Sequence, residues 1–137
     1  RSQQGKLFVQ AQNAAKEQTR EFVKQRTNII IDGTAGSYNN IRKAKERLED
    51  AGYDVAMIFV DVPLEVSLAR NEKRFEQGGR KVKPERVEKS WKAVDKNKKP
   101  YTSLFGSNFF YFDSSNVEPA EEVADIKTKF LSFLSSK

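Results

Sequence analysis

Three Asp residues stand where apolar runs stop: Asp32 after Ile29-Ile30-Ile31, Asp61 after Val55–Val60, and Asp113 after Phe109–Phe112. In a parallel α/β sheet, ligands bind outside the carboxyl ends of the strands, so three acidic strand ends on one rim could hold Mg²⁺ and a phosphorylated ligand. Asp is also a common cap and turn former at such positions. That second role is the expectation for Asp61 and Asp113, whereas Asp32 is expected to carry chemistry. A second group is basic. Arg70 and Arg74 lie four apart, on one face of a predicted helix, and Arg80 follows across Gly78-Gly79. Like charges at that spacing repel slightly unless an anion sits between them, and guanidinium forks match phosphate oxygens. A phosphate clamp is therefore expected, set against the plainer reading of a solvated basic face.

The elements that must position these groups follow from periodicity. Ser2–Arg26 has no Pro and places Phe8, Ala11, Ala15, Phe22 and Val23 near helical spacing, which predicts a helix. Ile29–Asp32 reads as a strand buried on both faces, followed by a loop over Ala35–Tyr38. Ile41–Ala51 is a predicted helix, with Ile41, Ala44, Lys45 and Leu48 on one stripe and Gly52 as its stop. Val55–Val60 is a second buried strand. Pro63 opens a helix over about 64–76 that turns Val66, Leu68 and Ala69 inward, and 77–83 reads as a mobile lid. Pro84 opens a further helix to about Lys98, burying Val87, Trp91 and Val94, and a loop follows over Tyr101–Asn108. Phe109–Asp113 is a third strand. A turn over Ser114–Asn116 leads to a closing helix over Glu118–Leu134 that presents Val123, Ile126, Phe130, Leu131 and Leu134. Strands alternating with helices predict a single α/β domain with a parallel sheet and right-handed crossovers.

Composition narrows the chemistry. The 137 residues carry 25 Lys+Arg against 19 Asp+Glu, a net charge of +6, and no Cys or His. That excludes a thiolate nucleophile, an imidazole base, a Ser-His triad and a Cys- or His-ligated metal, so any metal is a hard cation on oxygen ligands. No run is long or apolar enough for a membrane span, and a soluble cytoplasmic protein is expected. The basic excess gathers at Arg70–Arg86 and Lys92–Lys99, which suggests an anionic partner. The chain opens at Arg1 and its one Met is Met57, so a processed chain, an excised domain or a partial product is expected.

Asn28-Ile-Ile-Ile-Asp-Gly-Thr34, followed by Met57-Ile-Phe-Val-Asp-Val-Pro-Leu-Glu-Val-Ser-Leu-Ala-Arg-Asn-Glu-Lys-Arg74, resembles P-loop kinases of the zeta-toxin and polynucleotide-kinase-like group. It is most similar to small zeta-toxin-like kinases encoded by tailed phages. Phe112–Asn116 is similar to the family's last strand and adenine-side loop. The likeness covers roughly residues 15 to 134. It implies a three-layer α/β/α P-loop-kinase-like parallel sheet, with Mg²⁺ and ATP or GTP as cofactors. By the same resemblance Asp32 is the Walker-B carboxylate that holds Mg²⁺ through water. Arg70, Arg74 and Arg80 are the lid arginines that act on the phosphates, and Gly33, Thr34, Ser115 and Asn116 border the nucleotide. The chain departs from the family in having no G-x-x-x-x-G-K-[ST]. The first strand and the P-loop are therefore expected to be absent, the sheet incomplete and the activity lost.

Two function classes follow. One is a nucleotide-dependent phosphotransferase domain acting on a hydroxyl; the other is a non-catalytic anion- or nucleic-acid-binding or assembly module of the same fold. Phe109–Tyr111 and Lys96–Lys99 are the elements that could meet a nucleic acid, although burial of those rings in a core strand is the better expectation. If Ile29–Asp32 and Val55–Val60 lack the strand between them, direct pairing of the two, or a homo-oligomer formed by strand exchange, is expected.

Overall fold

The computed structural model describes residues 3–115 and 120–136. The chain divides into two compact units, Arg1–Gly33 and Thr34–Lys137.

The first unit is one helix followed by a segment without regular structure. Helix α1 spans Gln3–Lys24 and buries no residue. Its end is set by backbone geometry. Arg26 takes a left-handed φ of 54°, the Thr27 N–H returns to the Phe22 carbonyl, and the Arg26 N–H returns to Val23. The predicted strand Ile29–Asp32 does not form. These residues pair with no strand among the described residues, with Ile30 89% and Ile31 61% exposed. Three β-branched residues favour extended backbone, but a strand exists only by hydrogen bonding to a neighbour. Among the described residues none pairs with this segment, so the expected direct pairing with the Val55–Val60 strand is absent as well.

The second unit runs α2 (Tyr38–Asp50), β1 (Met57–Asp61), α3 (Leu64–Glu76), α4 (Pro84–Asp95), α5 (Lys98–Phe105), a 3-10 turn (Gly106–Asn108), β2 (Phe109–Asp113) and α6 (Ala120–Ser135). The two strands form a small parallel sheet, paired from Met57–Phe109 to Asp61–Asp113. It is a mixed helix and strand arrangement of the α/β kind, smaller than the three-stranded sheet the sequence predicts.

One face of the sheet carries the core. Phe59, Tyr101 and Phe105 are buried, and Ala35, Tyr38, Ile41, Val55, Met57, Val94, Leu104 and Phe109 pack around them. Tyr101 is fully enclosed and stacks on Tyr38 with ring centroids 5.7 Å apart. Its hydroxyl donates to the Ala35 carbonyl at 2.6 Å, and Asn97 Nδ2 donates to the Gly36 carbonyl at 3.2 Å. Ala35 holds a left-handed φ of 54°, a conformation that costs an L-residue about 1–3 kcal/mol, so these two bonds fix a strained loop. On the opposite face Phe110 packs edge-on against Phe133 of α6 at 6.3 Å.

Three expectations change here. The loop over Tyr101–Asn108 is instead α5 and the 3-10 turn. Pro100 sits in the first turn of α5, where backbone N–H groups lack helical partners in any case, so it does not break the helix. Ala69 is exposed. On α6 the covered stripe is Ile126, Phe130 and Phe133, leaving Val123, Leu131 and Leu134 exposed because the helix meets β2 along that one line.

Two variants test this packing by urea unfolding. Tyr101→Phe should lower stability by about 1–3 kcal/mol by orphaning the Ala35 carbonyl. Ile30→Lys should change it by no more than about 0.5 kcal/mol, as expected for an exposed side chain.

Candidate functional site

Parallel pairing sets Asp61 and Asp113 side by side at the carboxyl end of the sheet. Like charges opposite one another destabilise a ladder, and here each is offset separately. The Asp61 carboxylate accepts from Lys98 Nζ at 2.6 Å and from the Tyr111 hydroxyl at 2.6 Å. Lys98 also meets Asp95 at 3.3 Å. Asp113 accepts from the backbone N–H and the hydroxyl of Ser115, an Asx-type turn.

The electrostatics follow from these contacts. Hydrogen bonding to Asp61, then burial, pushes the Tyr111 phenol up to about 12. The Asp61 hydrogen bond also raises Lys98 above its ordinary value, against a lesser opposing effect of burial. The two Ser115 hydrogen bonds hold Asp113 below the usual carboxylate range. Burial lifts the Tyr101 phenol.

The same rim receives an arginine. Beyond β2 the ladder continues by one bond, from the Ser114 N–H to the Asp61 carbonyl at 2.8 Å. Arg70, on α3, reaches across to Ser114, donating to its carbonyl at 2.6 Å and its hydroxyl at 3.2 Å. This uses two of the guanidinium donors and leaves the rest of the fork for an anion. Arg70 and Ser115 thus meet at one place, through Ser114. Arg74 lies one turn further along α3, exposed, and Arg80 is exposed in the segment that follows the helix.

The remaining predicted positions are spread along the chain. Asp32 and Gly33 close the first unit, both exposed. A Cβ on Gly33 would meet nothing within 4 Å, so the backbone there is open to a ligand. Thr34 begins the second unit, exposed, next to the loop that Tyr101 and Asn97 hold. Asn116 lies outside the described residues.

For Asp61 the sequence predicts a cap or turn former; no side chain caps α3, and its carboxylate accepts from Lys98 and Tyr111. The expectation for Asp113, a turn former, matches its Ser115 bonds. The sequence offered no role here for Asn71, named Ser114 only as part of a strand end and a turn, and named Lys98 and Tyr111 only within stretches that could meet a nucleic acid, not as partners of Asp61. For Tyr111 a signal existed: it lies two residues before Asp113, hence diagonally across from Asp61 on one face.

The Zeta toxin family profile matches residues 6–103, well over half of the chain, and spans Asp32, Arg70, Arg74 and Arg80. The chain belongs to the Zeta toxin family. It is therefore a domain of a P-loop kinase-like, nucleotide-dependent family. Searches among curated proteins and among solved structures return no match.

Zeta toxin membership implies a nucleotide with Mg²⁺, and the donor chemistry here can be set against that. Exposed guanidinium groups and an open glycine suit phosphate oxygens. Among the described residues no three acidic groups gather as metal ligands. Mg²⁺ commonly takes one or two carboxylates together with waters and substrate phosphates, so one Asp is compatible with it. No helix among the described residues is long and apolar enough to cross a membrane.

The Asp61 cluster has a definite alkaline signature. Tyr111 and Lys98 both hold their protons more tightly when folded. Their stabilisation is fully present below about pH 10 and is lost as pH rises towards 12. An ultraviolet titration should show a tyrosinate step near pH 12 that disappears in Tyr111→Phe. In Asp61→Asn the step should move down towards the ordinary phenol value.

Proposed function

We propose that this chain is a phosphotransferase-type nucleotide-binding domain whose lid arginines, Arg70, Arg74 and Arg80, neutralise a nucleoside triphosphate. The observation that carries the proposal is Arg70. The family match covers it, and its guanidinium sits at the carboxyl end of a parallel sheet, where α/β folds bind ligands. In phosphoryl transfer little covalent chemistry falls to the protein. Positioning and charge stabilisation do most of the work, which is what a row of arginines supplies.

By the family resemblance, Asp32 is the residue that would hold Mg²⁺ through water, and Gly33 and Thr34 are positions that would border the nucleotide. Ser115 and Asn116 border the base. ATP or GTP, when bound with Mg²⁺, supplies the γ-phosphoryl group, and the acceptor is a hydroxyl. Arg70 keeps its Ser114 bonds and turns its remaining donors to the anion. The exposed Arg74 and Arg80 need shed no partner to do the same.

The 137 residues contain no G-x-x-x-x-G-K-[ST] cradle. Loss of even one preorganised donor lowers rates by about 10²–10³, so this polypeptide is expected to bind nucleotide without enzyme-like turnover. The non-catalytic binding module makes the same binding prediction and differs in activity. A Mg²⁺-dependent turnover that Asp32→Ala abolishes would establish catalysis in this chain and overturn the expected inactivity.

Calorimetric titration with ATP at low salt tests the clamp. Binding should weaken by about tenfold or more in Arg70→Ala/Arg74→Ala, because each lost charge-assisted hydrogen bond costs about 1.5–3 kcal/mol. Added salt should weaken the parent as well. Equal affinities for parent and double variant would reduce the pair to a solvated face.

A further inference from the structure

The segment between α3 and α4 is anchored to α3 at both of its ends. α3 closes in a Schellman turn: Gly78 takes φ +82°, its N–H returns to the Phe75 carbonyl at 2.9 Å, and the Gly79 N–H returns to Arg74 at 2.8 Å. Gly79 is required there for a steric reason. A Cβ on it would lie 2.7 Å from the Arg74 carbonyl oxygen and 2.8 Å from Arg74 Cγ, closer than real contacts allow. The Gly79 backbone therefore rests directly on the stem of Arg74.

Three residues on, the chain is tied to the helix again. Asn71, only 6% exposed, donates from Nδ2 to the Val82 carbonyl at 2.8 Å. Asn71 lies one turn before Arg74, so the segment runs back along α3 from its end. Lys81 strengthens the return, lying 4.5 Å over the Phe75 ring and 3.5 Å from Glu72. Arg80 sits between the two anchors, one residue from Gly79 and two from Val82.

We infer that Asn71 and Gly79 are positioning residues that preform the anion clamp: Gly79 sets the rotamer of Arg74, and the two anchors together hold the backbone of Arg80 beside it. The inference rests on the phosphate-binding reading above and adds the means by which the arginines are held before a ligand arrives. Preorganisation raises affinity because ordering Arg side chains on binding is otherwise costly. Neither anchor offers a charge to a ligand. Asn71 spends its buried donor on Val82, and Gly79 has no side chain.

The test is a double-variant cycle on the 137-residue chain, with inorganic tripolyphosphate as the probe at low salt. Gly79→Ala should weaken binding by about three- to tenfold, the effect of forcing the Arg74 stem off its rotamer. In the Arg74→Ala background the same change should cost clearly less, because the Arg74 Cγ is gone; what remains comes from the Arg74 carbonyl oxygen, which still faces the new Cβ, and acts through Arg80. Asn71→Ala should weaken binding and speed hydrogen exchange across 79–83. Should Asn71→Ala fail to fold, Gly79→Ala still decides the matter, since it alters only an exposed turn.

Unchanged binding in Gly79→Ala, alongside weakened binding in Arg70→Ala/Arg74→Ala, would overturn the positioning role and leave the clamp itself standing. Equal weakening by Gly79→Ala with and without Arg74 would overturn it too, by showing that Gly79 does not act through that arginine. Unchanged binding in Arg70→Ala/Arg74→Ala would remove both the clamp and its positioning.

Discussion

The parallel pairing of β1 with β2 is the interaction on which the second unit depends. Parallel strands cannot be joined by a tight turn, so the chain must cross over between Asp61 and Phe109. That crossover is α3, the 77–83 segment, α4 and α5, and it carries Arg70, Arg74 and Arg80. Two strands alone are marginally stable, and helices must supply what the sheet lacks. α5 does so through Tyr101 and Phe105 against Phe59, and α6 through Phe133 against Phe110. α4 is tied in by Trp91, whose indole N–H donates to the Val62 carbonyl at 2.7 Å, just where β1 hands over to α3.

Pairing also creates an electrostatic problem and the site that answers it. Two strand ends in register bring two carboxylates together. Lys98 and Tyr111 satisfy Asp61, and Ser115 satisfies Asp113, so neither draws on the lid arginines. Arg70 accordingly bonds a neutral partner, Ser114, and keeps its charge unpaired by any carboxylate in the described contacts. Part of the basic excess is thus spent inside the fold at Lys98, and part remains exposed on α3 and beyond it.

Much of this was legible in the sequence. Leu64–Glu76 and Phe109–Asp113 match their predicted spans, because Pro63 marks a helix start and an aromatic run bounded by polar residues marks a strand. Gly78-Gly79 was legible as the loop after α3, though not as the turn that closes it. Ile29–Asp32 misled because apolar β-branched residues report a preference for extended backbone and say nothing about a partner. Tyr101 reads as loop because the preceding predicted helix ends at about Lys98, where a second helix in fact begins, with Pro100 tolerated in its first turn. Arg70 and Arg74 were legible as a pair from spacing alone. The contacts around them were not: Asn71 to Val82, and Asp61 to Lys98, are tertiary contacts between residues that carry no local signal.

A phosphate-bearing ligand held by the lid arginines would settle on α3 and the end of β2. Amide hydrogen exchange of the 137-residue chain, with and without ATP at low salt, tests it most directly. Exchange should slow on ATP addition at residues 79–83 and 114–115, with α6 unchanged. Protection confined to other segments, or no change at 79–83 and 114–115 under saturating ATP, would contradict it.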